Sequence, residues 1–192
     1  MLIRLHAFEP VSRANGPGLR SVVWLQGCTL DCPGCFNPGT HDALDGSEAD
    51  VESLAGEILA IPSIEGVSIS GGEPFQQPQA LAGLVTLLRK TTLSTLIFSG
   101  YTLAAIRNLP LGPEILAHVD VLVAGPYLQA SHLGAGLLGS SNQCLHLLTG
   151  RYKPSDFAAL PAAELIIHRD GSVTVSGFRT VSMLDCRPTR SP

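Results

Sequence analysis

Hydrophobic positions recur along this chain in two spacings. Short apolar runs rich in β-branched residues predict strands, and stretches whose apolar positions return every third or fourth residue predict helices. Residues 1–8 alternate loosely, as an edge strand would. Ser21-Val22-Val23-Trp24-Leu25 reads as the first buried strand, and residues 66–70 as the second. Residues 93–98, 119–124 and 143–148 supply three more. Between them, a helix is expected over residues 48–60, capped by Ser47 or Asp50 and stopped by Pro62. A second runs from Pro78 to about Lys90 with Leu81, Leu84, Val85 and Leu88 on its inner side. Two short helices follow at 103–108 and 114–118. Strands alternating with helices give βαβ units and a parallel sheet.

After about Gly150 the pattern changes. Residues 164–168 and 172–176 flank Arg169-Asp170-Gly171, and a D-G turn between apolar runs predicts a hairpin, which either covers an exposed sheet edge, the commoner use, or touches a partner. The organisation expected is a core over residues 1–150, a hairpin extension over 151–185 and a loose tail over 186–192.

Composition narrows the class. With 192 residues, 45% hydrophobic and 15% charged, the chain can bury a sizeable core. A formal net charge of −4 offers no basic field for a phosphate backbone, so nucleic acid is not an expected partner. No apolar run reaches the ~18 residues of a membrane span, and the N-terminus lacks a signal-peptide layout. The odd cysteine number, five, suits reduced thiols and a cytoplasmic location.

Three of those cysteines crowd into Gly27-Cys28-Thr29-Leu30-Asp31-Cys32-Pro33-Gly34-Cys35-Phe36-Asn37-Pro38, spaced C-x3-C-x2-C. Clustered thiolates select a soft metal centre. Three from one loop suit three corners of a 4Fe-4S cluster and leave the fourth iron open. The competing reading is structural zinc, completed by His41 or Cys144, although no second knuckle accompanies the first. Cys144 otherwise reads as a small buried hydrophobe, and Cys186 as incidental. His6, His41, His118, His132, His146 and His168 show no ligand spacing. Two other stretches stand at strand boundaries. Asn15-Gly16-Pro17-Gly18 precedes the first buried strand and reads as an active-site lid. Gly71-Gly72-Glu73-Pro74 ends the second, where two glycines admit a ligand close to the main chain and Glu73 supplies an acceptor. Arg20 is a weaker polar candidate, or one half of a surface ion pair.

On these residues the chain resembles the radical S-adenosylmethionine (SAM) superfamily. Within it, the chain is similar to the short activating enzymes of glycyl-radical enzymes, of the anaerobic ribonucleotide reductase or pyruvate formate-lyase type. The resemblance is carried by Asn15–Arg20, the cysteine loop, Ser70–Pro74, Ser99-Gly100-Tyr101, Asp120–Val123 and Gly139-Ser140-Ser141-Asn142-Gln143. It implies an α/β fold, an incomplete (β/α) barrel of about five or six parallel strands with its chemistry at their C-terminal ends. It implies one 4Fe-4S cluster on Cys28, Cys32 and Cys35. It also implies SAM held by Gly34, Phe36, Asn37, Gly71, Gly72, Glu73, Pro74 and Ser99, with Glu73 at the amino group. Phe36 suits either stacking on the adenine side or a place in the core. The implied reaction is reductive cleavage of SAM to a 5′-deoxyadenosyl radical, which takes hydrogen from a glycine of a partner enzyme. A flavodoxin- or ferredoxin-type reductant is implied with it. Other readings stay open: a radical SAM enzyme acting on a small molecule or peptide, and an electron carrier or zinc-stabilised binding protein. Ala124 and Leu138 depart from the resemblance, standing where an aspartate and an arginine are common.

Overall fold

The computed structural model describes residues 1–177. Its strands, in chain order, are β1 (Leu2–Ser12), β2 (Arg20–Leu25), β3 (Ser47–Asp50), β4 (Gly66–Gly71), β5 (Ser94–Ser99), β6 (Val121–Ala124), β7 (His132–Ala135), β8 (Leu138–Ser140), β9 (Cys144–Leu147), β10 (Ala163–Ile167) and β11 (Val173–Gly177). Seven form one open sheet in the order β3-β1-β2-β4-β5-β6-β9. β2, β4, β5 and β6 pair in parallel. β1 is antiparallel to both β2 and β3, so β3 points with the four, and five strands share one direction. The class is the expected α/β, and the sheet ends at β3 and β9 without closing a barrel.

The helices α1 (Val51–Leu59), α2 (Pro78–Arg89), α3 (Leu103–Ile106) and α4 (Gly112–Leu116) fill the crossovers between the parallel strands. Strand side chains alternate between two faces, and this alternation decides what each face becomes. Val23, Leu25, Val67, Ile69, Ile97 and Leu122 pack with Leu54, Ile58, Leu81, Leu84 and Leu88 of α1 and α2. Each side chain buried so completely contributes roughly 1.5–3 kcal/mol. On the other face, Leu96, Val121 and Val123 meet Leu137, Tyr152 and Phe157. Among the described residues that face bears no long helix, and towards the C-terminal ends of the strands it opens into a cavity bordered by Trp24, Ser70 and Phe98.

Four local expectations change. Residues 47–50 are an edge strand and not the first turn of a helix, because β1 offers them a ladder from Leu2 to Leu5. Asp50 still caps α1, accepting the Ser53 amide at 3.0 Å. β1 is therefore an inner strand. β9 joins the sheet antiparallel to β6, since the β7–β8 hairpin connects them without a helical crossover. Arg20 makes no surface ion pair. It is fully buried at the start of β2, where its guanidinium donates to Ser68 Oγ (2.9 Å), Ser94 Oγ (2.8 Å), Tyr152 OH (3.1 Å) and the carbonyls of Pro17, Val67 and Ser94. It knots together the N-terminal ends of three strands, away from the cavity. The tail expected over 186–192, with Cys186, lies outside the described residues.

Candidate active site

The loop leaving β2 and the C-terminal ends of β2, β4 and β5 surround a cavity of about 370 Å³. That size suits a small-molecule site. Cys28, Cys32 and Cys35 all border it, each half-buried. The loop is tied down at both ends. The Gly27 amide donates to the Thr40 carbonyl (2.8 Å) and the Cys28 amide to that of His41 (3.1 Å). Gln26 reaches the carbonyls of Gly39 and Asp42 from below. The Asn37 amide points at Cys35 Sγ (3.4 Å), a contact that favours negative charge on sulfur. Burial opposes it and pushes the Cys28 and Cys35 thiols up. Thiolates so placed gain from a cationic centre.

Across the cavity stands Glu73. Its side chain is buried, with Oε1 accepting from the Phe75 amide (3.0 Å) and Ser99 Oγ (2.9 Å), and Oε2 from the Gly100 amide (2.8 Å). No cation of the described residues pairs with it. Burial pushes its pKa up to about 7 against the pull of those donors. A carboxylate fixed by three donors, on a cavity wall and without a counter-charge among the described residues, can accept an ammonium group. Gly72 explains the approach. A Cβ there would collide with the Gly27 carbonyl, so glycine lets the Gly-Gly turn pack directly beneath the cysteine loop.

Of the residues expected at SAM, Phe36, Asn37, Gly71, Gly72, Glu73 and Ser99 border the cavity. Gly34 and Pro74 do not; Gly34 turns outward against Gln129, and Pro74 is buried below the rim. Phe36 stacks at a tilt on Tyr127, ring centres 4.5 Å apart, and that pair forms part of the wall. Gln143 secures the same side, accepting the Gly139 amide (2.8 Å) and donating to the Gly125 carbonyl (2.8 Å). Ala124 is buried opposite Ser99 and Cys144, and Leu138 packs against the second core.

Sequence reasoning missed one contributor. His6 borders the cavity from β1, with Nδ1 2.9 Å from Gln26 Oε1. The β10–β11 hairpin lies over the cavity and not along a sheet edge: Thr174, Val175, Ser176 and Gly177 complete the wall. Glu164 holds it there by accepting from Ser12 and from the Arg13 amide (2.9 Å), and Asn15 Nδ2 donates to Ser176 Oγ (2.6 Å). No local signal marks contacts about 150 residues apart in sequence.

The donor chemistry fits a cluster. A cubane presents a different iron to each thiolate. A single ion instead needs its ligands to converge, and among the described residues no three His, Cys, Asp or Glu side chains do so. Cys144, weighed as a fourth zinc ligand, is exposed on β9 and outside the cavity wall.

Residues 14–146 match the family described as a 4Fe-4S single cluster domain. The chain belongs to that family. It is 34% identical over 126 residues to the pyruvate formate-lyase-activating enzyme of Clostridium pasteurianum, covering 62% of this chain and 50% of that one. It is 29% identical over 154 residues to the anaerobic ribonucleoside-triphosphate reductase-activating protein of Vibrio cholerae, covering 75% and 97%. The chain thus spans half the length of the first relative and nearly all of the second. The crystal structure of QueE from Escherichia coli is 22% identical, with a TM-score of 0.47 over 53% of this chain and 54% of that one. Among the described residues no helix is long and apolar enough to cross a membrane.

Proposed function

We propose that the chain is a glycyl-radical-enzyme activase, taking a hydrogen atom from a backbone glycine of a partner protein of the ribonucleotide reductase or pyruvate formate-lyase type. The observation that carries the reading is Glu73, a buried carboxylate without a counter-charge that faces three clustered thiols across one cavity. The names of the relatives then select the substrate class.

In this reading Cys28, Cys32 and Cys35 hold three corners of the cluster. Glu73 receives the SAM ammonium, with Ser99 and the Gly100 amide fixing its rotamer. Gly71 and Gly72 keep the wall bare where SAM lies, and Phe36 with Tyr127 offers an aromatic face to the adenine side. Gly34 and Pro74 act one step back, by shaping the loop and the turn. A cluster held by these three thiolates would supply the single electron for reductive cleavage of SAM. The chain's own work is to orient SAM, exclude water and admit the glycine. A flavodoxin- or ferredoxin-type protein in the cytoplasm supplies the electron. Residues 1–150 form the radical SAM core and the hairpin extension shapes substrate access.

The test mixes reduced, cluster-loaded protein and SAM with a glycyl-radical enzyme from the same genome. A glycyl doublet in electron paramagnetic resonance, with one 5′-deoxyadenosine per radical, is expected. Stoichiometric SAM consumption by a small molecule or free peptide, with no doublet on any such partner, overturns the reading.

A further inference from the structure

The β10–β11 hairpin is amphipathic the wrong way round for a cover. The face turned to the protein carries Glu164, bonded to Ser12 and the Arg13 amide, Ser176, bonded to Asn15, and the half-buried Ile166 and Thr174. The outward face carries Leu165, Ile167, Val173 and Val175, paired across the strands as Leu165 with Val175 and Ile167 with Val173, and exposed by 57%, 77%, 54% and 37%. β11 borders the cavity and β10 does not. Among the described residues β11 pairs with β10 alone.

The turn fixes which backbone groups are left over. The Gly171 amide donates to the His168 carbonyl and the His168 amide to that of Ser172, the pattern of a three-residue loop with Gly171 at φ 86°. From that start the hydrogen-bonded pairs of the ladder are Ile166 with Thr174 and Glu164 with Ser176. Val173, Val175 and Gly177 therefore turn their N–H and C=O away from β10. The open edge contains neither charge nor proline, the usual protections of an unpaired strand.

We infer that this edge is the docking strand for the protein substrate: the glycine-bearing segment of the partner lies extended along β11 as a third strand and runs from there into the cavity. The inference rests on the activase reading. A target glycine has no side chain to be recognised, so its placement must come from backbone pairing and from neighbouring residues. β11 offers backbone pairing at the mouth of the cavity, and its outward valines offer an apolar shelf for the side chains that flank the glycine.

The probes are a glycyl-radical enzyme from the same genome and a synthetic peptide spanning its radical glycine, added to cluster-loaded protein with SAM. Val173→Pro removes one edge donor at the first residue of the strand, a position that spares the bonds to β10. It should weaken peptide binding about ten-fold or more and slow radical transfer to match, while SAM cleavage without partner keeps its rate. Ile167→Ser, on the shelf but away from the edge, should weaken binding by less. Peptide should protect the Val173 and Val175 amides from hydrogen exchange, and N-methylation of alternate peptide residues should abolish that protection. Wild-type affinity in Val173→Pro, with the glycyl doublet intact, overturns the docking edge and leaves the activase reading standing. Amides protected before any peptide is added also overturn it, by a second copy if the protection depends on concentration and by the chain's own residues if it does not. A wild-type chain that cleaves SAM but puts no doublet on the partner overturns both readings.

Discussion

Two ionisable side chains are buried at opposite ends of the same parallel strands, and they differ in what is left unanswered. Arg20, at the N-terminal end, spends its guanidinium on six oxygens of Ser68, Ser94, Tyr152, Pro17 and Val67. Tyr152 relays it to Glu65, whose carboxylate accepts the phenol at 2.6 Å. Burial draws its pKa down, and it does not border the cavity. Glu73, at the C-terminal end, is held by three donors, yet among the described residues its charge meets no cation, and its wall is open. Burial alone thus separates neither residue as functional. A fixed charge left without its opposite, beside a cavity, does.

The largest expected effect lies at the open end. Replacing Cys28, Cys32 or Cys35 by alanine should abolish SAM cleavage, with iron and sulfide counts per chain falling far below four. Cys144→Ala should leave both unchanged, and a dependence on Cys144 would return the zinc-type ligand set.

At the closed end, Arg20→Met strands five partner residues in the interior and should cost about 3–5 kcal/mol. Urea unfolding of the cluster-free protein reads this as a lower midpoint. Iron per folded chain should not change; if it does, the two ends are coupled and the contrast fails.

Glu73 should behave in the opposite way. Its carboxyl ionises near 4.5 when unfolded and at about 7 when folded. The folded state holds the extra proton between those values, so this group lowers stability as pH rises through that window and adds no further change above it. The fall is about 3 kcal/mol. In the cluster-free protein Glu73→Gln should remove it, flattening stability between pH 4.5 and 7; an unchanged slope would mean that the carboxyl is solvated. Smallest is Tyr152→Phe, which deletes the phenol between Arg20, Ser94 and Glu65 and should cost about 1–2 kcal/mol with SAM cleavage intact.

The same contrast marks what could be read before folding. C-x3-C-x2-C and Gly-Gly-Glu-Pro are local, one within twelve consecutive residues and the other within four, so both motifs were legible. So were α2, from its spacing of Leu81, Leu84, Val85 and Leu88, and the hairpin, from Asp170-Gly171. The role of Arg20 was not, because its partners come from three strands and from Tyr152, 132 residues away. The sequence reads as helix at β3 since Ser47 and Asp50 are both good caps and the ladder with β1 is long-range. The sequence leaves the hairpin open between a sheet edge and a partner because only the fold brings Glu164 to Ser12 and Ser176 to Asn15.

The most direct measurement of the central claim is electron paramagnetic resonance of the reduced cluster, titrated with SAM in wild type and Glu73→Gln. The account predicts that SAM changes the wild-type spectrum, as a ligand at an open iron must. The variant should show the same change only at roughly ten-fold higher SAM, since a charge-assisted hydrogen bond contributes on the order of 1.5–3 kcal/mol. A wild-type spectrum indifferent to SAM, or a variant that titrates with wild-type affinity, would contradict it.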